Sequence, residues 1–133
     1  MGLFSGTRPA KLGYSSGMFT PPSWKPNCVL STVDRGDKHY VEPFVYAMAS
    51  GKAWEKLHNI VLATKGAKII TDSEGYLYAE FRSGILGFVD DVEFAMDKKA
   101  RIIQVRSASR LGIDDVGVNR KRIERIRREL LQD

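Results

Sequence analysis

"AKIITDSEGYLYAEFRSGILGFVDDVEFAMDKKARIIQVRSAS", residues 67–109, decides the fold. Apolar and polar side chains alternate along four runs in it: AKIITDS at 67–73, YLYAEFRS at 76–83, FVDDVEFAMD at 88–97 and RIIQVRSAS at 101–109. Between them lie SEG, GILG and DKKA, short glycine- or lysine-bearing turns. Period-two alternation with short connections predicts four antiparallel strands joined as a meander. The alternation also assigns faces. Leu77, Ala79, Phe81, Val92, Phe94, Met96, Ile103 and Val105 share one, and Tyr76, Tyr78, Glu80, Arg82, Asp91, Glu93, Gln104 and Arg106 share the other. The second face reads as a solvated ladder of cross-strand charge pairs, each worth little.

Both flanks of the meander change period. Upstream, Ala53, Trp54, Leu57, Ile60, Val61 and Thr64 recur at helical spacing, with Ser50 placed as the N-cap and Gly66 placed to end the helix. Before that, YVEPFVYA at 40–47 is β-branched and aromatic, and Pro43 suits it to a sheet edge. Downstream, NRKRIERIRRELL at 119–131 puts Ile123, Ile126 and Leu130 on one helical face, with Asn119 as its cap. The order β-α-β-β-β-β-α predicts an α+β fold: a five-stranded antiparallel sheet with two helices on one face. Residues 1–38, rich in Gly, Pro, Ser and Thr, are expected as an irregular N-terminal arm that Phe19 and Trp24 pin to a single domain at 39–133.

Composition narrows the function classes. The single cysteine, Cys28, excludes an intrachain disulfide and a cysteine-rich metal site, and is expected as a small buried side chain. The net charge of +5 is unevenly spread: residues 1–28 carry +3, residues 120–133 carry +3, and residues 29–119 carry −1. A basic tail and one basic helix on a balanced body, with Glu80, Asp91 and Glu93 on the open face, argue against nucleic acid. No apolar run reaches the roughly 18–20 residues of a membrane span, so a soluble, cytoplasmic protein is expected. "MGLFSG" departs from a myristoylation start because Gly6 stands where Ser or Thr is needed.

The stretch RSASRLGIDDVGVNR, residues 106–120, concentrates charge where a plain strand-to-helix connection would suffice. Positive charge at a helix N-terminus opposes the helix dipole, so something negative must compensate. One answer is internal: a structural network in which Asp90, Asp91, Asp114 and Asp115 pair with Arg106, Arg110 and Arg120. The other is a bound phosphate or carboxylate held by Arg106, Ser107, Ser109, Arg110, Asn119 and Arg120. No catalytic constellation accompanies them. Asp90 points away from Asp91 and Glu93 on a strand, which leaves too few carboxylates for a metal. The serines lack a patterned base, and His58 reads as a solvated surface residue. No catalytic residue, metal or cofactor is therefore expected.

PNCVLS, AEFRSGILGFVDDVEF and VRSASRLGIDDVGVNRKRIERIR resemble the uncharacterised bacterial family known as domain of unknown function 1499, over Pro26 to Arg127. The resemblance implies no activity and no catalytic residues. Many such relatives carry an N-terminal membrane or lipid anchor; here Cys28 does not follow a hydrophobic signal, so it is not a lipidation site. The element order also resembles one repeat of the TATA-binding-protein fold, a likeness of architecture alone. The expected function is a small non-catalytic module that binds an anionic ligand or a protein partner at the junction of last strand and last helix. The alternative is an enzyme acting on an anionic substrate at an Asp90, Arg110 and Arg120 cluster.

Overall fold

Residues 67–109 form the meander that their alternation requires. In the computed structural model, which describes residues 5–84 and 86–132, its strands are β5 (Ala67–Ser73), β6 (Tyr76–Arg82), β7 (Val89–Asp97) and β8 (Ile102–Ser109). Before them come β1 (Tyr14–Ser15), β2 (Met18–Phe19), β3 (Cys28–Leu30), β4 (Phe44–Val45) and α1 (Ser50–Ala63), and after them α2 (Val118–Leu131). The main sheet is antiparallel and six-stranded, in the order β3-β8-β7-β6-β5, with β4 also on β8; β1 and β2 form a separate ribbon.

The extra strand corrects the expected count of five. The run at 40–47 contributes only Phe44 and Val45, paired with Ile103 and Ile102, because Pro43 has no N–H to extend the ladder. The rest of that edge of β8 would be left unpaired. Cys28–Leu30, expected within the irregular arm, covers it against Arg106–Ala108. Phe19 is buried as expected, whereas Trp24 is 68% exposed and pins nothing.

Both helices pack on one face. Leu57 and Val61 of α1 and Ile123, Ile126 and Leu130 of α2 meet Leu77, Ala79, Phe81, Val92, Phe94, Ile103 and Val105, all buried. Fully burying each large side chain contributes about 1.5–3 kcal/mol, so this layer dominates stability.

Helix ends differ in detail from expectation. Ser50 lies inside α1, its hydroxyl sharing a 2.8 Å hydrogen bond with Tyr46, and Ala49 precedes the helix without a side-chain cap. Gly66 (φ +86°) lies beyond the helix end, and a Cβ there would sit 2.4 Å from the Arg82 carbonyl oxygen. Neighbouring backbone, rather than the cap, dictates that glycine. Asn119 is not the cap of α2 either: it lies within the helix and is fully buried.

Candidate functional site: a buried polar face and a basic cleft

The second sheet face is not solvated. Tyr78, Glu80, Asp91, Glu93 and Arg106 are all under 9% exposed, because the N-terminal segment lies across them. Arg8 donates to Glu80 at 2.7 Å, the Gly13 N–H donates to Glu93 at 2.8 Å, and Arg106 donates to the Thr20 carbonyl at 3.0 Å. Polar side chains on strands thus hold the backbone of an arm too poor in apolar residues to bury itself.

Arg110 is the centre of this face. It grips Asp91 with two bonds, Nε to Oδ2 at 3.1 Å and Nη2 to Oδ1 at 2.5 Å, and reaches Glu80 at 2.8 Å. Two acids thus hold its guanidinium charged, Asp91 foremost. Tyr78 donates to Asp91 at 2.5 Å, and burial first, then this bond, raises its pKa. The bond from Arg8, reinforced by Arg110, holds the Glu80 carboxyl down at about 2. Glu93 goes the other way. It is 0% exposed, accepts from Tyr76 at 2.6 Å, and has Arg106 only 3.5 Å from an Oε2 without a hydrogen-bond partner among the described residues. Burial pushes its pKa up.

On the helix side of the sheet a separate cluster closes the start of α2. Asn119 donates to Asp115 at 2.7 Å, Ser109 at 2.8 Å and the Asn27 carbonyl at 3.2 Å, and accepts from Ser107 at 2.6 Å and Arg122 at 2.9 Å. Asp115 accepts from the N–H groups of Gly117 and Asn119 and so supplies the negative charge the helix start requires. Burial opposes that charge, but the bonds from Asn119 and Gly117 together keep its carboxyl below the usual range. Asp90 faces the helices and pairs with Arg122 at 2.7 Å.

The residues expected in one cluster therefore fall into two groups, with Arg120 and Asp114 apart from both. Arg106, Arg110 and Asp91 lie under the arm; Ser107, Ser109, Asn119, Asp90 and Asp115 meet at the α2 start. Arg120 donates to the carbonyls of Tyr40 and Lys38. Asp114 accepts from the N–H of Val116. Asp90, Arg110 and Arg120 bind different groups and do not assemble. Other residues read from the sequence are also engaged: His58 pairs with Asp72 at 2.8 Å, and Cys28 is buried, which raises its thiol pKa. Among the described residues no group of three or more His, Cys, Asp or Glu side chains is placed to hold a metal ion, and no helix is long and apolar enough to cross a membrane.

One concavity at the same junction escaped the sequence reading. A cleft of about 310 Å³ is lined by Thr64 and Lys65 past the end of α1, Phe81 and Arg82 at the end of β6, Ser83 just beyond it, and Val118, Lys121, Arg122 and Arg125 on α2. Five cations line it and no acid does. Asp90 engages Arg122 from behind and Glu129 engages Arg125, while the ammonium groups of Lys65 and Lys121 have no partner among the described residues. The signal was present in the order of elements, since an antiparallel meander returns the end of β6 and the start of α2 to one end of the domain.

No curated protein and no solved structure is similar enough to the chain to count as a match. The family described as Protein of unknown function (DUF1499) matches residues 19–130, which include every strand of the main sheet, α1, all of α2 but its last residue, and the whole basic cleft. The arm residues Arg8 and Gly13, which close the polar face, lie outside the matched span. With most of its length matched, the chain belongs to the DUF1499 family.

Proposed function

We propose that the protein is a non-catalytic module that binds an anion at the strand–helix junction, in the basic cleft rather than on the arginines first singled out. The carrying observation is the lining of that cleft: Lys65, Arg82, Lys121, Arg122 and Arg125 with two hydroxyl-bearing residues and no acid. Arg106 and Arg110 are better matched to the acids beneath the arm than to a ligand. Ser107 and Asn119 serve the anion indirectly by fixing Arg122. An enzyme built on Asp90, Arg110 and Arg120 has no support in the geometry, because the three engage separate partners.

The test is thermal unfolding with inorganic phosphate and with citrate, on the protein and on Lys65→Ala/Lys121→Ala. At about 100 times its dissociation constant the anion is expected to stabilise the unmutated protein by roughly 2.7 kcal/mol, and the double variant far less. Both lysines are exposed, so the variant should keep its ligand-free stability. Equal stabilisation of both proteins, or of neither, would overturn the reading.

A further inference from the structure

Two loops lie at the same end of the domain as the basic cleft, and both carry exposed apolar side chains. The first joins β6 to β7 and holds Leu86, 53% exposed; the second joins β8 to α2 and holds Ile113 at 56% and Val116 at 80%, with Val118 at 43% opening the helix. They occupy the same end of the sheet: Asp90 at the start of β7 is registered against Ser109 at the end of β8, and the Arg110 N–H donates to the Val89 carbonyl. Ser83 from the first loop lines the cleft, and so does Val118, the first residue of α2 and the one that directly follows the second loop. Val116 also adopts φ +48°, a left-handed conformation that is costly for a β-branched residue. The acids of the second loop are turned onto its own backbone, Asp114 onto the N–H of Val116 and Asp115 onto those of Gly117 and Asn119.

From this arrangement we infer that this end of the domain docks on an anionic phospholipid surface, the apolar loop tips entering the headgroup region while the cleft cations meet lipid phosphates. The inference rests on the reading of the cleft as an anion site and names the source of the anion. Charge complementarity selects the occupant, because exposed apolar side chains at the same end of the domain as a cleft lined by cations suit a surface that is negative outside and hydrocarbon within. A nucleic acid would use the cations and leave Leu86, Ile113 and Val116 in water. The fold lacks a spanning helix among the described residues, so the contact is peripheral and reversible.

Vesicle sedimentation tests this with the full chain, using vesicles of phosphatidylcholine alone or mixed with phosphatidylglycerol. At moderate salt, roughly tenfold or more protein is expected on the phosphatidylglycerol vesicles, since cations near an anionic surface each add about fivefold to partitioning. Two variants separate the contributions. Lys65→Ala/Lys121→Ala should lose the preference for phosphatidylglycerol, and Leu86→Ser/Val116→Asn should lose sedimentation while inorganic phosphate still stabilises it in thermal unfolding. Phosphate stabilisation of the unmutated protein without vesicle binding, or vesicle binding unaffected by Leu86→Ser/Val116→Asn, would overturn the docking surface and leave the anion site standing. Failure of both phosphate and vesicles would overturn both readings. Binding to duplex DNA that competes with vesicles and ignores Leu86→Ser/Val116→Asn would assign the cleft to nucleic acid and overturn the inference.

Discussion

Strands β6, β7 and β8 present two faces that are both buried at their centres and chemically opposite. Toward the helices stand Leu77, Phe94 and Val105, all at 0% exposure; toward the arm stand Glu80, Asp91, Glu93 and Arg106, at 8%, 1%, 0% and 8%. The first face excludes water because its side chains are apolar. The second does so because its charges are matched to one another and to the backbone of residues 5–20. Alternation along a strand thus identifies which face is apolar, while exposure depends on what else the chain lays over the other. A charged pair buried in this way contributes little net stability, yet breaking it is costly.

The largest expected effect compares the two faces directly. Phe94→Ala opens a cavity beneath α1 and α2 and should cost about 3–5 kcal/mol. Arg110→Ala leaves Asp91 and Glu80 buried without their shared cation and should cost a comparable amount, about 3–5 kcal/mol. Urea unfolding of both variants checks the comparison. A loss under about 1 kcal/mol for Arg110→Ala is what a solvated surface pair would give, and it would end the claim that the arm closes the face.

Acid titration sharpens the comparison within the polar face, because Glu80 and Glu93 act with opposite sign. The Glu80 carboxyl, held at about 2 by Arg8 first and by Arg110, lies below its unfolded value of about 4.3. Its stabilisation is therefore present above about pH 4.3 and is lost as pH falls toward about 2; we expect about 1–2 kcal/mol, allowing for screening at half-exposed Arg8. Burial raises Glu93 instead, so the folded state holds its proton longer. That contribution is present below the unfolded value and is lost as pH rises through the raised one. Unfolding from pH 2 to 7 should show Glu80→Gln flattening the acid limb and Glu93→Gln flattening the decline above it. Superimposable profiles for the two variants would show that neither carboxyl is set as described.

Much of this was legible in the sequence, for reasons that also explain the rest. Phe94 and Val105 alternate with charged neighbours along runs long enough for the period to show, and Ile123, Ile126 and Leu130 mark the inner stripe of α2. Asp90 could be placed facing the helices by parity alone, although its partner proved to be Arg122. Cys28–Leu30 could not be recognised, since three residues carry no period and the need for them arises from the unpaired edge of β8. Burial of Glu93 was hidden for a similar reason: its cover is a glycine N–H eighty residues away. The basic cleft was hidden in the sequence because Lys65, Arg82 and Lys121 are distant along the chain and meet only after folding.

The smallest expected effect isolates the arm. Among the described residues Arg8 is the arm cation that ion-pairs on the polar face, and the same Glu80 oxygen, Oε2, accepts from it and from Arg110. Arg8→Ala should therefore leave global stability close to that of the unmutated protein, since Arg110 still neutralises the acids. It should nevertheless let the Glu80 pKa rise above about 2, while Arg110 keeps it below the ordinary carboxylate range. Side-chain NMR titration reads that value, and amide exchange at Gly13 reads whether the backbone bond to Glu93 opens more often. If Arg8 only decorates a segment held by Gly13 and Thr20, exchange at Gly13 will not change and only the titration will move. If Arg8 fastens the arm, both will move together. An unchanged Glu80 titration would remove Arg8 from the network and leave the polar face closed by backbone alone.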